Sequence, residues 1–208
     1  SLVVLNKPAP LPLHPSGRFN RNTLQYFLHQ VYRPQRPRPA HRLDANTSGV
    51  TLFARTRHFA GLVQTQFARG EVEKIYLAKV QGHPEEDEFE SHSPISATAG
   101  EIGSRTIDRE EGLEARTLFR VVKRNADGTA LLEVRPLTGR TNQIRVHLWE
   151  LGLPILGDQL YLPGKKLGAT QTHDLEDAPL CLHSRSLKIR HPLTKGEVTF
   201  TASPPDWA

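Results

Sequence analysis

The 208-residue sequence lacks the features that mark membrane, secreted and disulfide-stabilised proteins. Its single cysteine, Cys181, excludes an intrachain disulfide and a thiolate-rich zinc or iron–sulfur site. No run approaches the roughly 18 apolar residues of a membrane-spanning helix, and the first residues lack the charged start of a signal peptide. We therefore expect a cytoplasmic protein in a reducing compartment, without a membrane partner.

Methionine is absent as well, even at position 1. We therefore expect an N-terminus that was processed, trimmed or cut from a longer protein. The sequence has no internal repeat and no glycine-serine linker, and its 37% hydrophobic and 24% charged residues are typical of a globular chain. These observations predict one domain over residues 1–208.

The charges are unevenly distributed along the chain. Residues 1–83 carry 12 Lys/Arg against 3 Asp/Glu, residues 84–115 carry 2 against 10, and residues 116–208 carry 13 against 9. The net charges of the three stretches are therefore +9, −8 and +4. A positive surface that binds a polyanion such as nucleic acid fits this pattern. A solvated surface with an acidic loop fits it equally well.

Hydrophobic periodicity predicts more strands than helices. The proline-rich segment 33–39 is predicted to be a loop with solvated arginines, and the last helix is predicted to begin at a Thr141 cap and end at Gly152. Because strands and helices do not alternate regularly, we predict the α+β class, with a mixed, largely antiparallel sheet flanked by a few helices. The predicted strands cover residues 2–5, 49–55, 74–80, 116–123, 129–136, 181–190 and 196–202, and the predicted helices cover residues 24–31, 58–69 and 141–151.

The first cluster with chemical potential is His41-Arg42-Leu43-Asp44, followed by Thr47-Ser48-Gly49. Side chains two apart on an extended segment point the same way, so a guanidinium and a carboxylate would share one surface in front of a turn at residues 47–49. The alternative is that the Asp44 carboxylate only accepts hydrogen bonds from the backbone of that turn.

The second cluster places Tyr76 between apolar neighbours on a predicted strand. Its ring is suited to stack on a nucleic-acid base, and its hydroxyl is suited to relay a proton. A sheet tyrosine with its hydroxyl at the edge of solvent is the structural alternative.

The third cluster spans residues 137–147, where a Gly-Arg turn opens a helix. Free amides at a helix N-terminus attract anions, so Arg140 and this end are suited to hold a phosphate. Arg145 lies one residue from the apolar stripe of Ile144, Leu148 and Leu151, near the buried margin, where we expect a carboxylate partner. The structural alternative is that Arg145 pairs with any acidic residue nearby.

In this order, the three clusters resemble the RluA-type family of RNA pseudouridine synthases. The resemblance spans essentially the whole chain, with departures at Pro10, where the family usually has glycine, and at Asn142, where a histidine is common. The matching pieces are Asn6-Lys7-Pro8, the runs at 41–44 and 47–49, Lys74-Ile75-Tyr76-Leu77-Ala78, the run at 139–148, Leu182-His183 and His191-Pro192-Leu193-Thr194.

The resemblance implies a single catalytic domain with the pseudouridine synthase fold and no separate N-terminal RNA-binding domain within residues 1–208. It implies that Asp44 is the catalytic aspartate, Tyr76 the active-site tyrosine and Arg145 the arginine that pairs with Asp44. The substrate-binding residues would be Arg42, which fills the space left by the flipped nucleotide, Leu182, which walls the base pocket, and His41, Arg140 and Ile144.

The implied reaction isomerises uridine to pseudouridine in ribosomal or transfer RNA, by an aspartate-dependent mechanism that needs no metal or cofactor. We expect a monomer with RNA as its partner. One rival is a non-catalytic RNA-binding module, which gains nothing from a carboxylate among its cations. The other is a metal-dependent nuclease using Asp44, Asp158, His41 and His183, which requires acids that converge on a metal.

Overall fold

The computed structural model describes residues 1–15 and 20–208, which form two compact units. Unit 1 comprises Ser1–Lys74 and His183–Ser203, and unit 2 comprises Ile75–Leu182 and Pro204–Ala208. Among the described residues, no helix has the length and apolar character that crossing a membrane requires. The helices and strands of this part of the chain are β1 (Leu2–Lys7), α1 (Leu24–Val31), β2 (Arg38–Pro39), β3 (Ser48–Ala54), α2 (Arg57–Ala68), β4 (Glu73–Gln81), β5 (Glu88–Ser91), β6 (Thr117–Arg124), β7 (Thr129–Pro136), α3 (Gln143–Glu150), β8 (Tyr161–Leu162), β9 (Lys166–Leu167), β10 (Leu182–Arg190) and β11 (Glu197–Thr201).

Unit 1 is built around β3, which pairs antiparallel with β1 and β2 and parallel with β10. Strand β11 pairs antiparallel with β10. Helix α2 begins after the Thr56 cap, whose hydroxyl accepts a hydrogen bond from the Phe59 N–H, and buries Ala60 and Val63. Val63 packs in one core cluster with residues of β3 and β10 that include Leu52 and Leu187.

Gly49 is required where β3 approaches β10. Its φ is +109°, a conformation that side-chain-bearing residues rarely adopt, and a Cβ there would lie 2.2 Å from the carbonyl oxygen of Ser184. The predicted turn at residues 47–49 is therefore wrong, because Ser48 and Gly49 already belong to β3. The glycine permits close strand pairing directly after the Asp44 segment.

In unit 2, β4 pairs antiparallel with β7, β7 with β6, and β6 with β5. Helix α3 packs against β6 and β7. Its residues 143–148 are all buried, and Leu148 joins the core cluster formed with residues of β4 and β7 such as Ala78 and Leu132. The α+β class and the mixed, largely antiparallel sheet are confirmed.

Two local predictions fail at α3. The N-cap is Asn142, in the left-handed conformation at φ +57°, and not Thr141. At the N-terminal end of the helix, Gln143 Oε1 accepts hydrogen bonds from the Arg140 N–H and the Thr138 hydroxyl at 2.9 and 2.7 Å. Leu151 is 42% exposed, so the buried stripe does not extend to it.

The proline-rich segment and the acidic stretch each hold a strand that the sequence patterns did not predict. Arg38–Pro39 forms β2 opposite Ala54 and Phe53, so this part of the predicted loop is wrong, while Arg33, Arg36 and Arg38 are exposed as expected. Glu88–Ser91 forms β5, where alternate glutamates mask the strand pattern because their side chains are exposed on one face.

Candidate active site

Asp44 lies in a turn immediately before β3. Its main-chain carbonyl accepts a hydrogen bond from the Thr47 N–H at 3.1 Å, so closure of the turn uses the main chain and leaves the carboxylate available for other work. Leu43 is buried, whereas Arg42 is exposed and Asp44 is half-buried. This alternation agrees with an extended segment on which Arg42 and Asp44 face the same side.

Lys7 fixes the backbone of this turn, a role that sequence reasoning missed. Its side chain is 1% exposed, and Nζ donates hydrogen bonds to the carbonyl oxygens of Pro8, Leu11 and Ala45 at 3.0, 3.0 and 2.9 Å. Burial lowers the pKa of Lys7 from 10.5 to about 7, although the negative charge of Asp44 opposes this shift. A buried lysine thus ties the peptide after Asp44 to the end of β1.

The His41 ring packs inside unit 1, where it hydrogen-bonds to the main chain of Arg42. Its Nε2 accepts a hydrogen bond from the Leu52 N–H at 3.1 Å, and Nδ1 lies 3.2 Å from the Arg42 carbonyl oxygen, to which it donates in the neutral tautomer. The ring stacks on Phe67 at a centroid distance of 4.7 Å. Burial lowers the pKa of His41 to about 4, so the ring is neutral near pH 7.

Unit 2 brings together Tyr76, Ile144 and Leu182. Tyr76 lies on β4 opposite Val134 of β7 and packs against the core cluster that contains Ile144 and Leu182. Ile144 and Leu182 are 7% and 4% exposed. These three residues provide an aromatic ring beside an apolar wall, which is an environment suited to a flat base.

Arg145 is buried in unit 2, deeper than the margin predicted from its place beside the apolar stripe. Its Nε and Nη2 donate hydrogen bonds to the two carboxylate oxygens of Asp158, both at 2.7 Å. The side chains of Arg145 and Asp158 are 3% and 1% exposed. The expected carboxylate partner is therefore present as Asp158, and pairing of Arg145 with Asp44 stays a prediction.

Asn142 and Tyr161 hold the Arg145 guanidinium from other sides. Asn142 Oδ1 accepts from Arg145 Nη1 at 3.2 Å, and the Arg145 Cζ lies 4.9 Å from the centroid of the Tyr161 ring. The Tyr161 hydroxyl donates to the Arg105 carbonyl at 2.9 Å and accepts from the Asn142 amide at 3.2 Å. Asn142 therefore helps to hold the Arg145 side chain in place.

Asp158 and His183, two residues of the nuclease alternative, are engaged in other contacts. Asp158 Oδ1 also accepts from the N–H groups of Leu160 and Tyr161, and His183 Nδ1 lies 2.8 Å from the Ser48 hydroxyl. Within residues 1–15 and 20–208, no group of three or more His, Cys, Asp or Glu side chains has the spacing to hold a metal ion.

Arg140 is exposed before α3, and its Nε donates to the carbonyl oxygen of Glu114 at 2.8 Å. The structure thus places Asp44, His41 and Arg42 on one segment of unit 1, and Tyr76, Arg140, Ile144, Arg145 and Leu182 in unit 2. The substrate contacts predicted for these residues stay predictions.

Comparison with known proteins gives one consistent result. Residues 1–150 match the family model described as RNA pseudouridylate synthase. The chain is 36% identical over 206 residues to the dual-specificity RNA pseudouridine synthase RluA of Pasteurella multocida, covering 97% of this chain and 89% of that protein. The corresponding protein of Salmonella typhi is 35% identical over 201 residues, covering 96% and 87%.

Solved structures agree with the sequence comparison. Human RNA Pseudouridylate Synthase Domain Containing 1 superimposes with a TM-score of 0.77 at 26% identity, covering 98% of this chain and 80% of that one. Human RNA Pseudouridylate Synthase Domain Containing 4 gives the same TM-score at 28% identity, covering 99% and 86%.

Proposed function

The chain belongs to the RNA pseudouridylate synthase family, and from this premise we propose that it isomerises uridine to pseudouridine in ribosomal or transfer RNA with Asp44 as the catalytic carboxylate. The observation that carries the proposal is the half-buried Asp44 on a turn whose backbone is fixed by Lys7. Asp44, Tyr76 and Arg145 all lie within the matched residues 1–150. We also propose that residues 1–208 act as one catalytic domain, because related structures cover both units.

The chemistry explains why a carboxylate is needed. The reaction breaks the bond between N1 of the uracil and C1′ of the ribose, turns the base and joins C5 to C1′. The proton on C5 is lost and N1 gains a proton, so the product is an isomer and no electrons are exchanged with a cofactor. An ionised carboxylate beside the ribose supplies the nucleophile or base that cleavage of the glycosidic bond requires.

The other site residues take roles that their environments support. The Tyr76 ring stacks on the detached uracil and its hydroxyl assists removal of the C5 proton, while Leu182 and Ile144 form the apolar wall of the base pocket. The buried Arg145 guanidinium supplies a positive charge that pairs with the catalytic carboxylate. Exposed Arg42 fills the space that the flipped nucleotide leaves in the RNA stack.

The remaining proposed contacts concern the RNA around the target uridine and the setting of the enzyme. Arg140, exposed at the start of α3, contacts a phosphate, and His41 holds Arg42 in its substrate-binding position. We propose that the enzyme is cytoplasmic, because the single cysteine, which is buried, suits a reducing compartment. We also propose that it is a monomer.

The decisive experiment compares catalysis and binding in Asp44→Asn. This nearly isosteric change removes the charge, so tritium release from C5-labelled uridine in RNA is expected to vanish while filter binding of the same RNA is retained. Asp206→Asn, an exposed aspartate near the C-terminus, serves as the matched control and is expected to keep full turnover. Circular dichroism establishes that each variant is folded.

Two results would contradict the proposal. The first is a folded Asp44→Asn variant with wild-type turnover. The second is a wild-type protein that binds ribosomal and transfer RNA but releases no tritium from either pool. The second result favours the non-catalytic RNA-binding module, in which the same arginines contact phosphates and Tyr76 stacks a base.

A further inference from the structure

A cavity of about 630 Å³ lies in unit 1 between the segment 38–42 and helix α2. Three arginines contribute to its lining: Arg38 and Arg42 from the segment, and Arg57 from the first turn of the helix. All three are exposed, and among the described residues no carboxylate lines the cavity. We refer to it as the arginine pocket.

The charge of the arginine pocket is not compensated by the described protein. Within residues 1–15 and 20–208, none of the three guanidinium groups forms an ion pair or donates a hydrogen bond. By contrast, arginines of unit 2 such as Arg120 and Arg135 are paired with a carboxylate at hydrogen-bond distance. Like charges that line one cavity without a counter-charge raise its positive potential, so an anion is the ligand that the pocket attracts.

The walls of the pocket are held in place by hydrogen bonds in which the three arginine side chains take no part. Gln64 of α2 donates a hydrogen bond from Nε2 to the Pro39 carbonyl at 2.9 Å, which joins the helix to the segment. His41 fixes the main chain of Arg42 through its hydrogen bonds to Arg42 and Leu52. The backbone on both sides of the cavity is therefore positioned by hydrogen bonds that do not involve the arginine side chains.

The helix keeps one side of the pocket open. Gly61 lines the cavity from within α2, where glycine lowers helix stability relative to alanine. A Cβ at this position would meet no atom within 4 Å, so neighbouring side chains do not require the glycine. Its effect is to leave space beside Arg57 and Gln64.

We propose that the arginine pocket binds a phosphodiester group of the RNA backbone close to the uridine that the enzyme modifies. The guanidinium fork matches phosphate oxygens in bidentate geometry, and Arg42 is two residues from Asp44, which places the pocket on the same segment as the catalytic carboxylate. This inference rests on the proposed function, because it assigns the position of the substrate's backbone.

The pocket favours a polymer over a small free anion. Sites for small molecules are mostly apolar and enclose most of their ligand. Here the lining cations are exposed, which suits a backbone that runs across the pocket and is held chiefly by counter-charge. Free phosphate shares the chemistry and is therefore tested as a separate arm.

The experiment measures the salt dependence of binding with unfractionated transfer RNA as the probe. Each phosphate contact to single-stranded nucleic acid contributes about 0.7 to the slope of log affinity against log salt concentration, so Arg38→Gln and Arg57→Gln are each expected to lower the slope by about that amount. Arg69→Gln is the matched control, because Arg69 is exposed at the other end of α2 and lies outside the pocket. It is expected to leave the slope unchanged.

A second pair of variants tests the cavity and not only the arginines. Gly61→Gln and Gly61→Glu place side chains of equal size into the open space and differ only by a negative charge. The glutamate variant is expected to bind transfer RNA several-fold more weakly than the glutamine variant. Equal affinities of these two, or slopes for Arg38→Gln and Arg57→Gln equal to that of Arg69→Gln, overturn the proposal.

Inorganic phosphate is used to distinguish an RNA phosphodiester from free phosphate as the ligand of the pocket. At millimolar concentration, compared with chloride of matched ionic strength, it is expected to raise the Tm of wild type and of Arg57→Gln equally. A larger rise in wild type, together with salt slopes of Arg38→Gln and Arg57→Gln equal to that of Arg69→Gln, assigns the pocket to free phosphate and overturns the RNA assignment. Tritium release by wild type separates the two proposals. If wild type releases tritium but Arg38→Gln and Arg57→Gln keep the wild-type salt slope, only the pocket proposal is refuted. If these variants have lower salt slopes but wild type releases no tritium, the pocket is supported and the catalytic proposal is refuted.

Discussion

The Nζ of Lys7 donates a hydrogen bond of 2.9 Å to the carbonyl oxygen of Ala45, the residue that follows Asp44. The same ammonium group binds the carbonyl oxygens of Pro8 and Leu11, so three carbonyls depend on one buried side chain. The Leu11 N–H also donates to Ala45 at 2.9 Å. The position of the proposed catalytic carboxylate therefore depends on a residue 37 positions earlier in the sequence, at the end of β1.

Replacing Lys7 by methionine is expected to lower both stability and turnover. The change leaves three buried carbonyls without their charged donor, at a cost of about 1–3 kcal/mol in the free energy of unfolding. The turn that carries Asp44 loosens as well, so kcat for tritium release falls several-fold while RNA affinity changes little. Urea unfolding and tritium release measure the two effects, and Lys123→Met, at an exposed position, is the control.

The pH dependence of stability gives an independent test of the Lys7 environment. Burial lowers the pKa of Lys7 from 10.5 to about 7, so the unfolded chain binds more protons than the folded chain between about pH 7 and 10.5. Stability from this group therefore rises with pH through that window. Lys74, whose pKa burial lowers to about 8, contributes in the same range, so the diagnostic quantity is the difference between wild type and Lys7→Met. Equal slopes for the two proteins contradict the assignment.

Patterns within single elements were predictable because their causes are local. The alternation of residues 129–136 matches β7, and Gly152 correctly marks the end of α3. The proposed roles of Asp44, Arg42 and Tyr76 rest on motifs, which are also local. These features require no knowledge of what packs against them.

Features that depend on distant contacts were not predictable in this way. The sequence suggested Asp158 only as a nuclease candidate. Its ion pair with Arg145 joins α3 to a loop 13 residues later, and no local pattern indicates that contact. Lys7 carried no signal beyond its motif, since its partner Ala45 is 38 residues away. Thr141 was predicted as a cap because a threonine there fits the local rule, whereas Gln143 closes the helix end through contacts with residues before it.

His41 is expected to make the protein acid-sensitive. Burial lowers its pKa from 6.5 to about 4, so the folded chain binds fewer protons than the unfolded chain between these values. The contribution to stability is complete above about pH 6.5 and is lost as pH falls to about 4. Urea unfolding of His41→Gln is expected to show a shallower decline than wild type across this range. His58→Gln, at an exposed position on α2, is expected to retain the wild-type decline.

Catalysis is expected to continue after chelation of divalent ions, because side chains fill every role in the proposed reaction. Tritium release in EDTA is expected to equal that in untreated buffer when the RNA fold is maintained with monovalent salt. The RNA fold is monitored by its melting profile in the same buffers. Tritium release lost in EDTA and restored by a divalent ion, with an unchanged RNA melting profile, would contradict this prediction.

Substitutions in the buried Arg145–Asp158 pair are expected to affect stability and catalysis separately. In Asp158→Asn a guanidinium that is 3% exposed loses its bidentate carboxylate, and the free energy of unfolding is expected to fall by about 3–5 kcal/mol. Tyr161→Phe keeps the ring beside Arg145 but removes the hydroxyl contacts with Arg105 and Asn142, at a cost of about 1 kcal/mol.

A double variant distinguishes the two effects. Apolar side chains of similar volume often replace a buried ion pair without loss of stability, so Arg145→Met with Asp158→Leu is expected to recover most of the stability lost in Asp158→Asn. Its tritium release is expected to be at background, because the proposed catalytic guanidinium of Arg145 is absent. Urea unfolding and tritium release on the same preparations measure both quantities. Wild-type turnover in the stable double variant would show that Arg145 serves only the fold.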